Sequence, residues 1–119
     1  MELNPQEIMD RIQELFKNLE QSNKHYGLVY LLGNEKKKKY QMELRAEIDS
    51  LREQGYLTGL IIDMAKGSDI VSSARKDYDD TLSTLSQISN AMLDIRAEIE
   101  AGRSLLTWSR MEYGSSTFS

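Results

Sequence analysis

The chain has no cysteine and a single proline in 119 residues. Without cysteine there is no disulfide framework, no thiolate nucleophile and no cysteine-based metal site. With Pro5 as the one proline, the chain almost lacks the residue that most reliably stops a helix. Period-two alternation of apolar and polar residues is missing as well, which argues against strands. The apolar runs are far shorter than a membrane span. The opening MELNPQEIMD is polar and acidic, unlike a secretory leader. A soluble, intracellular protein with no membrane association is the expectation.

Charge is plentiful but of mixed sign: 29% of residues are charged and the net charge is -4. That balance does not suit a chain whose whole surface binds nucleic acid, although a local basic patch remains open. At 39% hydrophobic the chain can support one domain over 1–119 with a thin core. Richness in Glu, Lys, Arg, Leu and Ala points to long helices, and so to an all-α fold.

The helices can be placed from their signals. Asn4 as N-cap, Pro5 at the first helical position and Glu7 in the first turn start an N-terminal helix over 1–22. Its apolar stripe is Ile8, Ile12, Leu15, Phe16 and Leu19. The stripe fades in Glu20-Gln-Ser-Asn-Lys24, where a break is expected. A long helix over 23–54 follows, with Tyr26, Val29, Tyr30, Tyr40, Leu44, Ile48 and Leu51 near one seam and Gly55 as its cap.

The next stretch, QGYLTGLIIDMAKGS, holds three of the seven glycines and only two charges. It predicts a corner helix over 57–66 with Leu57, Leu60, Ile61 and Met64 on its buried side. Gly55 and Gly67 would end helices at positive φ, and Ser68 would cap the helix that follows.

That last helix, over 69–113, carries Val71, Ala74, Tyr78, Thr81, Leu85, Ile88, Met92, Ile95, Ile99, Gly102 and Leu106 at steps of three and four. The mean step of about 3.5 is the heptad period of a left-handed coiled coil. A frayed tail is expected over 114–119. Such a helix would be about 65 Å long and needs an equally long partner. The expectation is an antiparallel helical hairpin with a coiled-coil seam and the N-terminal helix packed near one end. Because the second helix is polar from Asn34 to Lys39, part of the seam (Val71, Tyr78, Leu85, Ile88, Met92, Ile95, Ile99, Leu106) is expected to pair between copies. A homodimer is the first expectation, a tetramer the second.

No residue set points to catalysis. A lone His25 is a poor metal or catalytic group, and Asp77, Asp79 and Asp80 have no further ligands beside them. No phosphate-cradling glycine motif or nucleophile elbow is present. A non-enzyme is expected, with no catalytic residues, no metal and no cofactor. Two segments could touch nucleic acid. The corner has helix-turn-helix spacing, with Ser72, Ser73, Arg75 and Lys76 available, but Asp69, Asp77, Asp79 and Asp80 oppose phosphate. Lys36, Lys37, Lys38 and Lys39 beside Tyr40 could hold a single strand by charge and stacking, yet four consecutive helical residues point in four directions. At the far end Arg103, Trp108, Arg110 and Met111 are candidate protein-binding residues. Alternatively Trp108 packs near Phe16.

Leu51-Arg-Glu-Gln-Gly-Tyr-Leu-Thr-Gly-Leu-Ile-Ile-Asp-Met-Ala-Lys-Gly67, followed by Arg103-Ser-Leu-Leu-Thr-Trp-Ser-Arg-Met-Glu-Tyr-Gly114, resembles a group of small helical proteins encoded in phages and prophages of Gram-positive bacteria. Their genes often lie among early replication and recombination genes. The resemblance covers roughly 26 to 114 and carries no recognised chemistry. Members of that group are mostly without assigned function, so the resemblance supplies context and not a mechanism. The expectation is a helical interaction protein of the host bacterial cytoplasm that binds a phage or host protein of DNA metabolism or defence, such as a nuclease. A DNA-binding accessory of recombination or transcription is the alternative, and a virion scaffolding protein the next.

Overall fold

A computed structural model describes residues 4–118 and the side chains of 4–111. It is all-α: α1 spans Pro5–Glu53, α2 Thr58–Gly67 and α3 Asp69–Phe118, with no strand among the described residues. Two long helices joined through a short corner helix form a hairpin.

α1 begins as its first residues dictate. The Asn4 Oδ1 accepts from the backbone N–H of Gln6 at 3.0 Å and of Glu7 at 3.4 Å, with Pro5 at the first helical position. The break expected at 20–24 does not occur, so the N-terminal and second helices are one. Fading of an apolar stripe removes packing, not helical propensity. The segment holds neither glycine nor proline, and Glu20 pairs with Lys24 one turn on at 3.5 Å.

The end of α1 is a Schellman turn. Gly55 has φ +83°, Tyr56 N–H donates to the Leu51 carbonyl at 3.3 Å, and Gly55 N–H donates to Arg52 at 3.0 Å. Gly67 does not repeat this. It is the last residue of α2, and Gly55 alone has positive φ among the described residues. The chain turns instead at Ser68, extended at φ -67° and ψ 148°. Ser68 Oγ accepts from Val71 N–H at 3.4 Å and so caps α3, with Asp69 in its first turn. Ser72 Oγ donates to the Lys66 carbonyl at 3.2 Å, satisfying one of the free carbonyls that end α2. α3 then runs on to Phe118, past the tail expected from Gly114, since no proline follows that glycine to stop it.

Contacts group the chain into two units, Met1–Tyr26 with Ile88–Ser119, and Gly27–Gln87, where one domain was expected. In a helix pair each stretch touches only the stretch beside it, so contacts stay local. In the first unit Leu15, Met92, Ile99 and Ser109 are buried. Gly102 lets α1 come close: a Cβ there would lie 2.9 Å from Ile12 Cγ1. Flanking the seam, Arg11 pairs with Glu98 at 3.2 Å, and the Arg103 guanidinium sits 5.5 Å from the Phe16 ring centre. In the second unit Leu51, Ile61 and Ala65 form a core cluster with Leu44 and Ile48 against it. Val71, Ala74 and Thr81 are buried further along, and Thr81 lies against Gly33.

Every position of the α3 heptad from Val71 to Leu106 is buried or half-buried. α1 carries the matching line: Ile8, Ile12, Leu15, Leu19, Ser22, Val29, Gly33, Lys36 and Tyr40. Of the seam residues expected to pair between copies, Val71, Met92 and Ile99 are buried within the chain, and Tyr78, Leu85, Ile88, Ile95 and Leu106 are half-buried. The polar stretch from Asn34 does not interrupt the line on α1, because Gly33 offers a close approach and Lys36 is half-buried, its apolar stem able to cover it.

Candidate functional site

The corner exposes more than it buries. Ile61 and Ala65 are 2% and 0% exposed, while Leu57 and Leu60 are 73% and 52% exposed and Met64 is also at the surface. Of the four residues expected on the buried side, only Ile61 is there. A ten-residue helix offers one buried line, and here it is Ile61–Ala65, where the small Ala65 allows close packing in the cluster with Leu51. Leu60 and Met64 each lie about 100° around the helix from that line. Tyr56, Ile62 and Ile70 are exposed nearby in sequence. The outcome is an anchored helix that presents Leu60 and Met64 one turn apart, with Leu57 exposed at its N-cap.

A second feature of the same unit is a groove of about 370 Å³ lined by Tyr40, Lys66, Ser72, Arg75, Lys76 and Asp79. The Arg75 guanidinium lies 5.3 Å from the Tyr40 ring centre, and Nη1 donates to the Tyr40 hydroxyl at 3.5 Å. Its Nε is shared between the two Asp79 carboxylate oxygens at 3.2 and 3.3 Å. These bonds, Tyr40 first and then Asp79, raise the Arg75 pKa above its ordinary value. Two candidate nucleic-acid segments, the lysine run with its tyrosine and the corner with Arg75 and Lys76, thus meet at one place. The run itself divides. Lys36 is half-buried, Lys37 and Lys39 are exposed, and Lys38 lines a different hollow with Met42 and Arg45. Among the described residues none of the four is in an ion pair.

In the other unit, Trp108 is 53% exposed. The Phe16 ring is faced by Arg103 instead, which also donates to Glu100 at 2.9 Å. Arg110 and Met111 are exposed. A groove of about 360 Å³ that the sequence reading missed lies here, floored by Ile8, Ile12, Leu15, Ala101, Gly102 and Leu105 and rimmed by Glu7, Arg11 and Glu98. The Ala101-Gly102 pair, small residues in a line of Ile, Met and Leu, was its one signal in the sequence.

His25 is exposed, and Asp79 is committed to Arg75. Among the described residues no group of three or more His, Asp or Glu could hold a metal ion. No helix among them is long and apolar enough to cross a membrane. Comparison with protein-family models, curated proteins and solved structures finds no match.

Proposed function

We propose that the protein acts by binding another protein and not by catalysis, and that the corner makes the contact. The observation that carries this reading is the exposure of Leu60 and Met64 at i and i+4 on a helix whose other line is fixed in a core, with Leu57 exposed at its N-cap. These are the anchor positions by which a helix lies in an apolar groove. Because α2 is already folded and held, little ordering cost falls on the binding step. Asp63 beside the anchors and the net charge of -4 suit a groove with a basic rim. The partner class is a phage or host protein of DNA metabolism or defence, which suits the gene context of the proteins that the sequence resembles.

The test is capture with tagged wild type and Leu60→Asp, followed by calorimetry with the purified captured protein. Leu60 is at the surface, so Leu60→Asp keeps the wild-type melting temperature. It loses at least about 30-fold in affinity, as a central apolar anchor does. Equal binding by the two proteins overturns the reading.

One observation favours a second reading, a DNA-binding accessory: Tyr40, Lys66, Arg75 and Lys76 share a groove. Asp79 opposes it, since its carboxylate holds the arginine that would meet phosphate. A salt-titrated DNA-binding assay decides. Tight, salt-sensitive binding that an Arg75→Ala/Lys76→Ala double mutant loses supports this reading, and its absence removes it.

A further inference from the structure

Within the unit Gly27–Gln87, α1 carries a second line at heptad spacing, on the side away from its half-buried line Val29, Gly33, Lys36 and Tyr40. Leu28, Leu31, Glu35, Lys38, Met42 and Arg45 follow one another at steps of three and four, and all are exposed. Leu28, Leu31 and Met42 are 68%, 61% and 72% exposed, a high share for large apolar side chains on one helix face. Among the described residues Glu35, Lys38 and Arg45 form no ion pair.

The C-terminal half of this line is a hollow of about 530 Å³ made by α1 alone. Lys38, Gln41, Met42 and Arg45 surround one part of it, and Met42, Arg45, Ala46 and Asp49 the next. Each set lies at i, i+3, i+4 and i+7. Four side chains so placed on one helix form the hole that receives a knob from a facing helix. The small Ala46 widens the second hole. The same face thus holds two exposed leucines and, further along, two empty holes.

An isologous contact requires a surface to complement itself about a two-fold axis. An axis perpendicular to α1, midway between Glu35 and Lys38, meets this requirement. Leu31 and Met42 lie roughly 8 Å from it along the helix, on opposite sides, and Leu28 and Arg45 roughly 13 Å. Rotation therefore seats Leu31 of one copy on Met42 of the other, in the first hole, and Leu28 on Arg45, in the second. It also sets Glu35 against Lys38 twice, so the charges nearest the axis are complementary. We propose that this outer face of α1 is an antiparallel homodimer interface, with Leu28 and Leu31 of a second copy in the hollow. Charge order selects a second copy over an unrelated helix: acid on one side of the axis and base on the other is what self-pairing needs. The inference does not rest on the corner's role, since α2 contributes nothing to this face.

The experiment is sedimentation velocity of the full chain over a dilution series, at low salt, with helical content followed by circular dichroism. The expected result is a dimer that dissociates on dilution. Leu31→Asp weakens dimerisation by about 30-fold or more at unchanged helical content, as loss of a central apolar anchor does. Lys38→Glu places two pairs of like charges at the axis and weakens it by about tenfold. The charge swap Glu35→Lys/Lys38→Glu restores it, which a merely structural role for either residue does not predict. Leu60→Asp leaves it unchanged. A wild type that stays monomeric up to tens of micromolar overturns the proposal and leaves the face to a different protein. So does a dimer that Leu31→Asp leaves intact, or a charge swap no stronger than Lys38→Glu alone.

Discussion

Gly55 sits at φ +83° with open space where a Cβ would be, so any substitution there meets backbone strain alone. Gly67 also has open space around it, but it is helical. The same change should therefore act in opposite directions at the two ends of the corner. Gly55→Ala is expected to destabilise by about 1 kcal/mol or more, because the left-handed region costs a residue with a Cβ that much. Gly67→Ala is expected to be neutral or to stabilise by up to about 1 kcal/mol, through helix propensity and a less flexible unfolded chain. Urea unfolding of the two variants checks this, and equal destabilisation would show that Gly67 also has a conformational role. The sequence marked both residues as helix ends without separating them. A glycine at the end of an apolar run is compatible with a left-handed cap or with a last helical residue, and here Ser68 makes the turn.

At the scale of elements, the heptad of α3 was legible position by position, because a period of 3.5 belongs to the sequence itself. Its partner was not. α1 carries the complementary line through Ser22, Gly33 and Lys36, which have no apolar signature, so the line looked interrupted just where it continues. The corner helix was legible in place and length but not in orientation. A ten-residue helix this rich in apolar side chains has more than one candidate for its single buried line, and the choice of Ile61–Ala65 depends on what Leu44, Ile48 and Leu51 leave open. That choice has measurable consequences. Ile61→Ala is expected to cost about 2–4 kcal/mol, the range for a large aliphatic side chain removed from a core. Leu60→Ala, on the exposed line, should stay within about 0.5 kcal/mol of wild type. Thermal melts of both variants test the assignment, and a reversal of the two values would mean α2 is rotated by about a quarter turn.

At the scale of the molecule, charge is abundant but contributes little to holding the fold. In each of the five ion pairs among the described residues both side chains are more than half exposed, including the pair that links α1 and α3, Arg11 with Glu98. Exposed pairs are weak and are screened by salt, whereas the seam that joins the helices is built mainly from apolar contacts that salt does not screen. Salt therefore separates the roles assigned to different parts of the chain. Raising sodium chloride from about 0.1 to about 1 M should shift Tm by less than about 5 °C, because only the exposed pairs are weakened. Binding of DNA in the groove of Tyr40, Lys66, Arg75 and Lys76, if the second functional reading holds, should fall steeply with salt through counterion release.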